Sequence, residues 1–150
     1  MLRTLQVVAG GAGADGAKQL AKAGGVRAIM LSAHAHSSVL TVQRAAMRAL
    51  AAIATAPLQG DDRVMVMGLI LREKAVRALL AAMRTHYTDA LMSAAACLAL
   101  GAITKHDVAS VSNQLDDDWE SVLERAVVTH GVSHAIADNV GASIRLLKEM

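Results

Sequence analysis

Val42-Gln43-Arg44-Ala45-Ala46-Met47-Arg48-Ala49-Leu50-Ala51-Ala52-Ile53-Ala54 is a run with one oily side. Val42, Ala46, Ala49, Leu50 and Ile53 recur at helical spacing, so they share one face of a helix. Arg44, Arg48, Ala52 and Thr55 fall on the opposite face. Pro57 and Gly60 stop the helix. Fifty residues on, Ala45-Ala46 returns as Ala95-Ala96, and Ala49-Leu50-Ala51-Ala52-Ile53 returns as Ala99-Leu100-Gly101-Ala102-Ile103. Upstream, Val26-Arg27-Ala28-Ile29-Met30 returns at the same offset as Val76-Arg77-Ala78-Leu79-Leu80. Two blocks with one offset make the recurring object a unit of several helices. A fixed period of this length marks stacked units, each burying its apolar face against the next. The expected fold is all-α, a right-handed α-solenoid.

Composition agrees with that reading. A chain of 150 residues is long enough to bury a substantial core. Phe is absent, and Tyr87 and Trp119 are the only aromatic side chains, so the core must be built from aliphatic residues and Met. Ala favours helices and lets them approach closely, while Met fills irregular gaps between them. A net charge of +2, without a basic stripe or aromatics to stack on bases, argues against nucleic-acid binding. The sole cysteine, Cys97, rules out an internal disulfide and fits a reducing, cytoplasmic setting. Its Ala-rich surroundings predict an inert buried thiol. Uncharged stretches such as residues 90–104 are too short to span a bilayer, so no membrane role is expected. Thr4 and Gln6 interrupt the opening apolar run, which makes it a poor secretory signal.

The chain divides into a partial unit over residues 1–14, units over 15–60 and 61–104, an insertion over 105–117, and a partial unit over 118–150. In the first full unit Asp15 caps a helix over 16–23, and Gly24-Gly25 closes it. A second helix covers 26–33, a polar turn 34–38 and a long helix 39–56. In the next unit Asp61-Asp62 can accept from the exposed amides of a helix over 63–71. Helices over 73–85 and 90–104 follow. A short helix is expected near Val108. Asp117 and Glu120 are spaced as a capping box, with Asp118 as an alternative cap, for a helix running to about residue 128. Gly131 ends that helix, and separate helices over 132–140 and 142–149 come next. Leu5, Val8 and Ala9 align with Leu50, Ile53 and Ala54. The chain is therefore expected to open inside one long helix and to close near the start of another, as a piece of a longer array would.

Gly24-Gly25-Val26-Arg27-Ala28-Ile29 and the run from Val42 to Ala54 together resemble the armadillo repeat. The second copy keeps Ala96-Cys97-Leu98-Ala99-Leu100-Gly101-Ala102-Ile103 but has Arg72-Glu73-Lys74 in place of the glycine pair. A third copy rests on Thr129-His130-Gly131-Val132. A HEAT-like helical repeat, which shares the stacking but usually lacks the glycine pair, is the alternative. The resemblance implies three-helix units whose third helices line a concave groove. Many armadillo proteins place a Trp there and an Asn four residues on, to hold an extended peptide. Here the Trp position holds Arg3, Arg48 and Leu98, and the Asn position holds Val7, Ala52 and Ala102. That ladder is missing, so nuclear-signal recognition is not expected.

What remains is a groove with a basic end, Arg3, Arg44 and Arg48, and an apolar end, Ala94, Leu98 and Ala102. Ala52 lies on the same face and Lys105 at its margin. Exposed apolar side chains beside guanidinium groups suit a protein segment with hydrophobic anchors and an acidic flank. The expected function is a non-catalytic scaffold or assembly subunit, without a cofactor. Its partner is a protein segment or a neighbouring subunit, with self-association through open ends of the array.

Four other patterns compete with this reading. Gly11-Ala12-Gly13-Ala14-Asp15-Gly16 matches the dinucleotide-binding turn G-x-G-x-x-G, in which backbone amides approach a pyrophosphate. An NAD(P)-binding Rossmann-like enzyme using Gly11, Gly13 and Gly16 is thus the alternative function. It lacks the acidic residue expected about twenty positions on, because no Asp or Glu occurs between Asp15 and Asp61. His34-x-His36 and His130-x-x-x-His134 have spacings seen in metal sites, but no cysteine or carboxylate cluster completes them. Asp116-Asp117-Asp118 lacks the loop of a calcium site and reads as helix capping. No nucleophile and base form a recognisable local motif, so neither an enzyme nor a metal site is expected.

Overall fold

In a computed structural model, residues 13–131 and 133–149 are described, and all their regular structure is helical. The helices are α1 (Gly13–Lys22), α2 (Gly25–Ala35), α3 (Leu40–Ala54), α4 (Gly60–Arg72), α5 (Ala75–Thr85), α6 (Ala90–His106), α7 (Val108–Ser112), α8 (Trp119–Thr129) and α9 (His134–Lys148). The stretch 26–31, the second strand required by the dinucleotide alternative, lies inside α2. Gly13 and Gly16 belong to α1, and Gly11 lies outside the described residues. With no strand among the described residues, those glycines have no parallel sheet on which to present a phosphate turn.

One local geometry occurs three times. Helices α2, α5 and α8 each end in a histidine cap, His36, His86 or His130. The cap amide donates to the carbonyl four residues back, on Ser32, Ala82 or Ala126. Three residues after each histidine comes an extended N-cap, Val39, Asp89 or Ser133, whose amide donates to the histidine carbonyl. The long helices α3, α6 and α9 follow directly. This shared turn sets the register in which residues of the three long helices correspond.

Packing follows the same order. The most extensive contacts are α3 with α6 and α6 with α9. The shorter helices also touch their successors, α1 with α4, α2 with α5 and α5 with α8. Ala46, Ala49, Leu50 and Ile53 of α3 are buried, as are Ala96, Ala99, Leu100 and Ile103 of α6 and Ile136, Val140 and Leu147 of α9. Small residues let these axes come close. A Cβ on Gly101 would lie 2.8 Å from Asn139 Oδ1, so α6 meets α9 where it carries no side chain.

Besides Asp15 and Asp61-Asp62, which lie inside the first turns of α1 and α4 rather than ahead of them, the structure differs from the sequence expectations at three places. Residues 132–140 and 142–149 do not form two helices, because α9 runs through Gly141 without a break. That glycine is exposed, and intrahelical hydrogen bonds carry the helix past its lower propensity. The last segment is therefore a full long helix, equivalent to α3 and α6. Second, the missing glycine pair does not change the α4–α5 turn, since Lys74 adopts φ +60 where Gly24 has φ +84. Third, Asp118 stands at the N-cap of α8 without a side-chain capping bond. Its carboxylate binds Arg84 instead.

Candidate functional site

The outward face of the long helices is built by counting from the three equivalent caps. Five residues on lie Arg44, Ala94 and Asp138; nine on, Arg48, Leu98 and Ala142; thirteen on, Ala52, Ala102 and Leu146; sixteen on, Thr55, Lys105 and Glu149. All of these positions are half-buried or exposed. Since α6 packs between α3 and α9, the face runs from basic on α3, through apolar on α6, to acidic on α9.

Among the residues predicted from sequence, Arg48, Leu98 and Lys105 are exposed, while Ala52, Ala94 and Ala102 are half-buried beneath them. Arg3 lies outside the described residues. Arg44 is on the face but is engaged: its Nη2 lies 2.6 Å from Asp89 Oδ1 and its Nε 3.2 Å from Asp89 Oδ2. Sequence reasoning missed Leu91, which is 63% exposed against 42% for Leu98. Leu91, Ala94, Leu98, Ala102 and Lys105 form one continuous stripe along α6. The signal was available in the sequence, seven residues before Leu98. The acidic side, Asp138 and Glu149, was also missed, because its register depends on α9 being one helix.

Asp89 joins two tasks. It accepts from the Met92 amide at 2.8 Å, capping α6, and it holds the Arg44 guanidinium in a two-point grip. The hydrogen bond from Arg44 is the main cause that lowers the Asp89 carboxyl below its usual value; burial opposes it. A bidentate pair of this kind fixes orientation as well as charge, so it sets the position of α3 against the start of α6. Arg84 on α5 grips Asp118 with Nε at 3.1 Å and Nη2 at 2.7 Å, and reaches Asp116 at 3.0 Å. These carboxylates are about half exposed, so the clamp positions the 113–118 segment more than it stabilises it.

The histidines lie close to the same turns. The Nε2 atoms of His86 and His130 lie 2.9 Å from the Ser37 carbonyl and 2.7 Å from the Tyr87 carbonyl, each reaching back to the preceding turn. As neutral rings they would donate there from Nε2–H. His130 caps α8 whereas His134 begins α9, so that pair does not share one helix face. His34 and His36 are exposed. Among the described residues no group of three or more His, Cys, Asp or Glu side chains could hold a metal ion. Burial pushes the Cys97 thiol up to about 12, which keeps it protonated and unreactive at neutral pH. No helix among the described residues is long and apolar enough to cross a membrane.

Comparison of the chain with protein-family models, with curated proteins and with solved structures gives no match.

Proposed function

We propose that this chain is a non-catalytic protein-binding module, an armadillo-like right-handed solenoid whose long-helix face holds a segment of a partner protein. The observation that carries this reading is the Leu91–Leu98 stripe, exposed between Arg48 on α3 and the acids of α9. Neighbouring exposed leucines on a rigid helix offer anchor sites that water solvates poorly, and such contacts dominate binding energy. Arg48 then favours an acidic flank on the partner, and Asp138 with Glu149 favours a basic residue at the other end. The resemblance to armadillo repeats supports the same face, while the absence of the Trp and Asn ladder points away from capture of an extended nuclear signal. The module needs no cofactor, and its unreactive lone thiol fits a reducing, cytoplasmic compartment.

Selection from a displayed library of random peptides tests the reading. Wild type is expected to enrich peptides with two apolar anchors and acids on one side. Leu98→Asp and Arg48→Glu should each lose those peptides while keeping wild-type helicity and melting temperature. Enrichment of no common pattern, or equal binding by both variants, would sink the proposal. A second reading, assembly with another copy, draws on Val128 of α8, which is 84% exposed. Light scattering on the purified chain separates the two, since a Val128-dependent dimer would become monomeric in Val128→Glu.

A further inference from the structure

We infer that the cleft between α2 and α5 binds a small amphiphilic monocarboxylate, at a site separate from the long-helix face. The cleft encloses ≈ 540 Å³. Ligand pockets range from about 300 to 1,000 Å³, with a mostly apolar lining and few polar groups. Its floor is Ala33 at the end of α2, Ala78 and Ala82 on α5, and Leu115 from the loop beyond α7. The three alanines are buried, so the floor is firm and oily.

The rim is made mainly of donors. Arg77 stands on the exposed side of α5, pairs with no carboxylate among the described residues, and is joined by the hydroxyls of Ser37 and Thr85. The carboxylate of the lining, Asp116, is held by Arg84. The amide nitrogen of Gln43 is already engaged, donating to the Ala33 and His36 carbonyls. Arg84 is matched by Asp116 and Asp118, which leaves Arg77 as the cation of the lining with no carboxylate partner among the described residues. That balance suits a monoanion better than a phosphate dianion, and a free guanidinium fork matches a carboxylate in two-point geometry. An oily floor beneath one cationic fork therefore selects an acid with a short aliphatic body.

Sodium octanoate, kept below its micelle threshold, is the probe, titrated into isotopically labelled protein and followed by amide NMR. Saturable shifts are expected at Ala78, Ala81, Thr85 and Leu115, with Leu91 and Leu98 unmoved. Arg77→Glu should weaken binding by about tenfold or more. So should Ala81→Trp, which fills the cleft from an exposed position without changing charge. Arg27→Glu, at the matching position of α2, should bind as wild type does. Octanol and octyl phosphate form the comparison arms and should both bind more weakly than octanoate. Absence of saturable shifts, full binding by either cleft variant, a loss in Arg27→Glu equal to that in Arg77→Glu, or binding of octanol or octyl phosphate as tight as that of octanoate would overturn the assignment.

Discussion

Lys74 holds a left-handed backbone at φ +60, where the preceding unit has Gly24 at φ +84. A side chain there costs about 1–2 kcal/mol in Cβ crowding, against roughly 0.5–1 kcal/mol of extra backbone freedom that glycine loses on folding. Lys74→Gly is therefore expected to stabilise the protein by roughly 0.5–1 kcal/mol, read from urea unfolding at an unchanged slope. The sequence hides this, because a lysine gives no sign that its turn needs a left-handed residue. The pairing of Asp89 with Arg44 was equally hard to read, since the two lie forty-five residues apart and each looks like an ordinary surface charge. Folding lowers the Asp89 carboxyl below 3.8, so its contribution is complete above that value and fades as pH falls through the depressed one. Asp89→Ala should destabilise by about 1–2 kcal/mol at neutral pH, through the lost cap and the lost charge-assisted bonds. Unfolding curves of the two proteins should converge as the medium is acidified below about pH 4. A gap that stays constant to the lowest pH would show that the carboxylate charge contributes nothing.

At the scale of the helix, the glycines sort by what surrounds them. A Cβ on Gly68 of α4 or Gly141 of α9 would meet nothing within 4 Å. Both positions are exposed and interior to their helices, so Gly68→Ala and Gly141→Ala should each add about 0.5–1 kcal/mol. Gly25 and Gly101 behave oppositely, because a new Cβ would lie 2.7 Å from the Leu20 carbonyl oxygen or 2.8 Å from Asn139 Oδ1. Gly25→Ala and Gly101→Ala should lower the melting temperature, and a rise in either would show that the surrounding helices give way easily. The same contrast explains how well helices could be read from the chain. Helix α3 was legible because a one-sided apolar pattern runs into a stop at Pro57, and α6, apolar nearly all round, through its match to α3 fifty residues earlier. Helix α9 was misread as two, since Gly141 looks like punctuation until the hydrogen bonds around it are seen. That error carried into the candidate site: Arg48 and Leu98 could be placed by counting along one helix, whereas Asp138 and Glu149 needed the whole of α9 in register.

Across the whole molecule, the echo of fifty residues runs through α1 to α6 and weakens beyond them for a physical reason. The equivalent histidines are fifty residues apart from His36 to His86 but forty-four from His86 to His130. Helix α7 has only 5 residues, so the last segment offers a shorter first helix to match against α1 and α4. What persists through the change is the turn and the ring that reaches back from it. His130 is 8% exposed, and its Nε2 meets the Tyr87 carbonyl at 2.7 Å. His86 is only half-buried at the equivalent contact with Ser37. His130→Ala strands a carbonyl and empties a ring-sized space, so it should cost about 1–3 kcal/mol, and His86→Ala less. If stability is shared between neighbouring units, that loss falls first on the segment His130 ties down. Hydrogen exchange in His130→Ala should then show α8 and α9 amides opening ahead of those in α3 and α6. Equal loss of protection in all four helices would mean that the units have fused into one cooperative body, and that the ring contact marks their register without governing how they come apart.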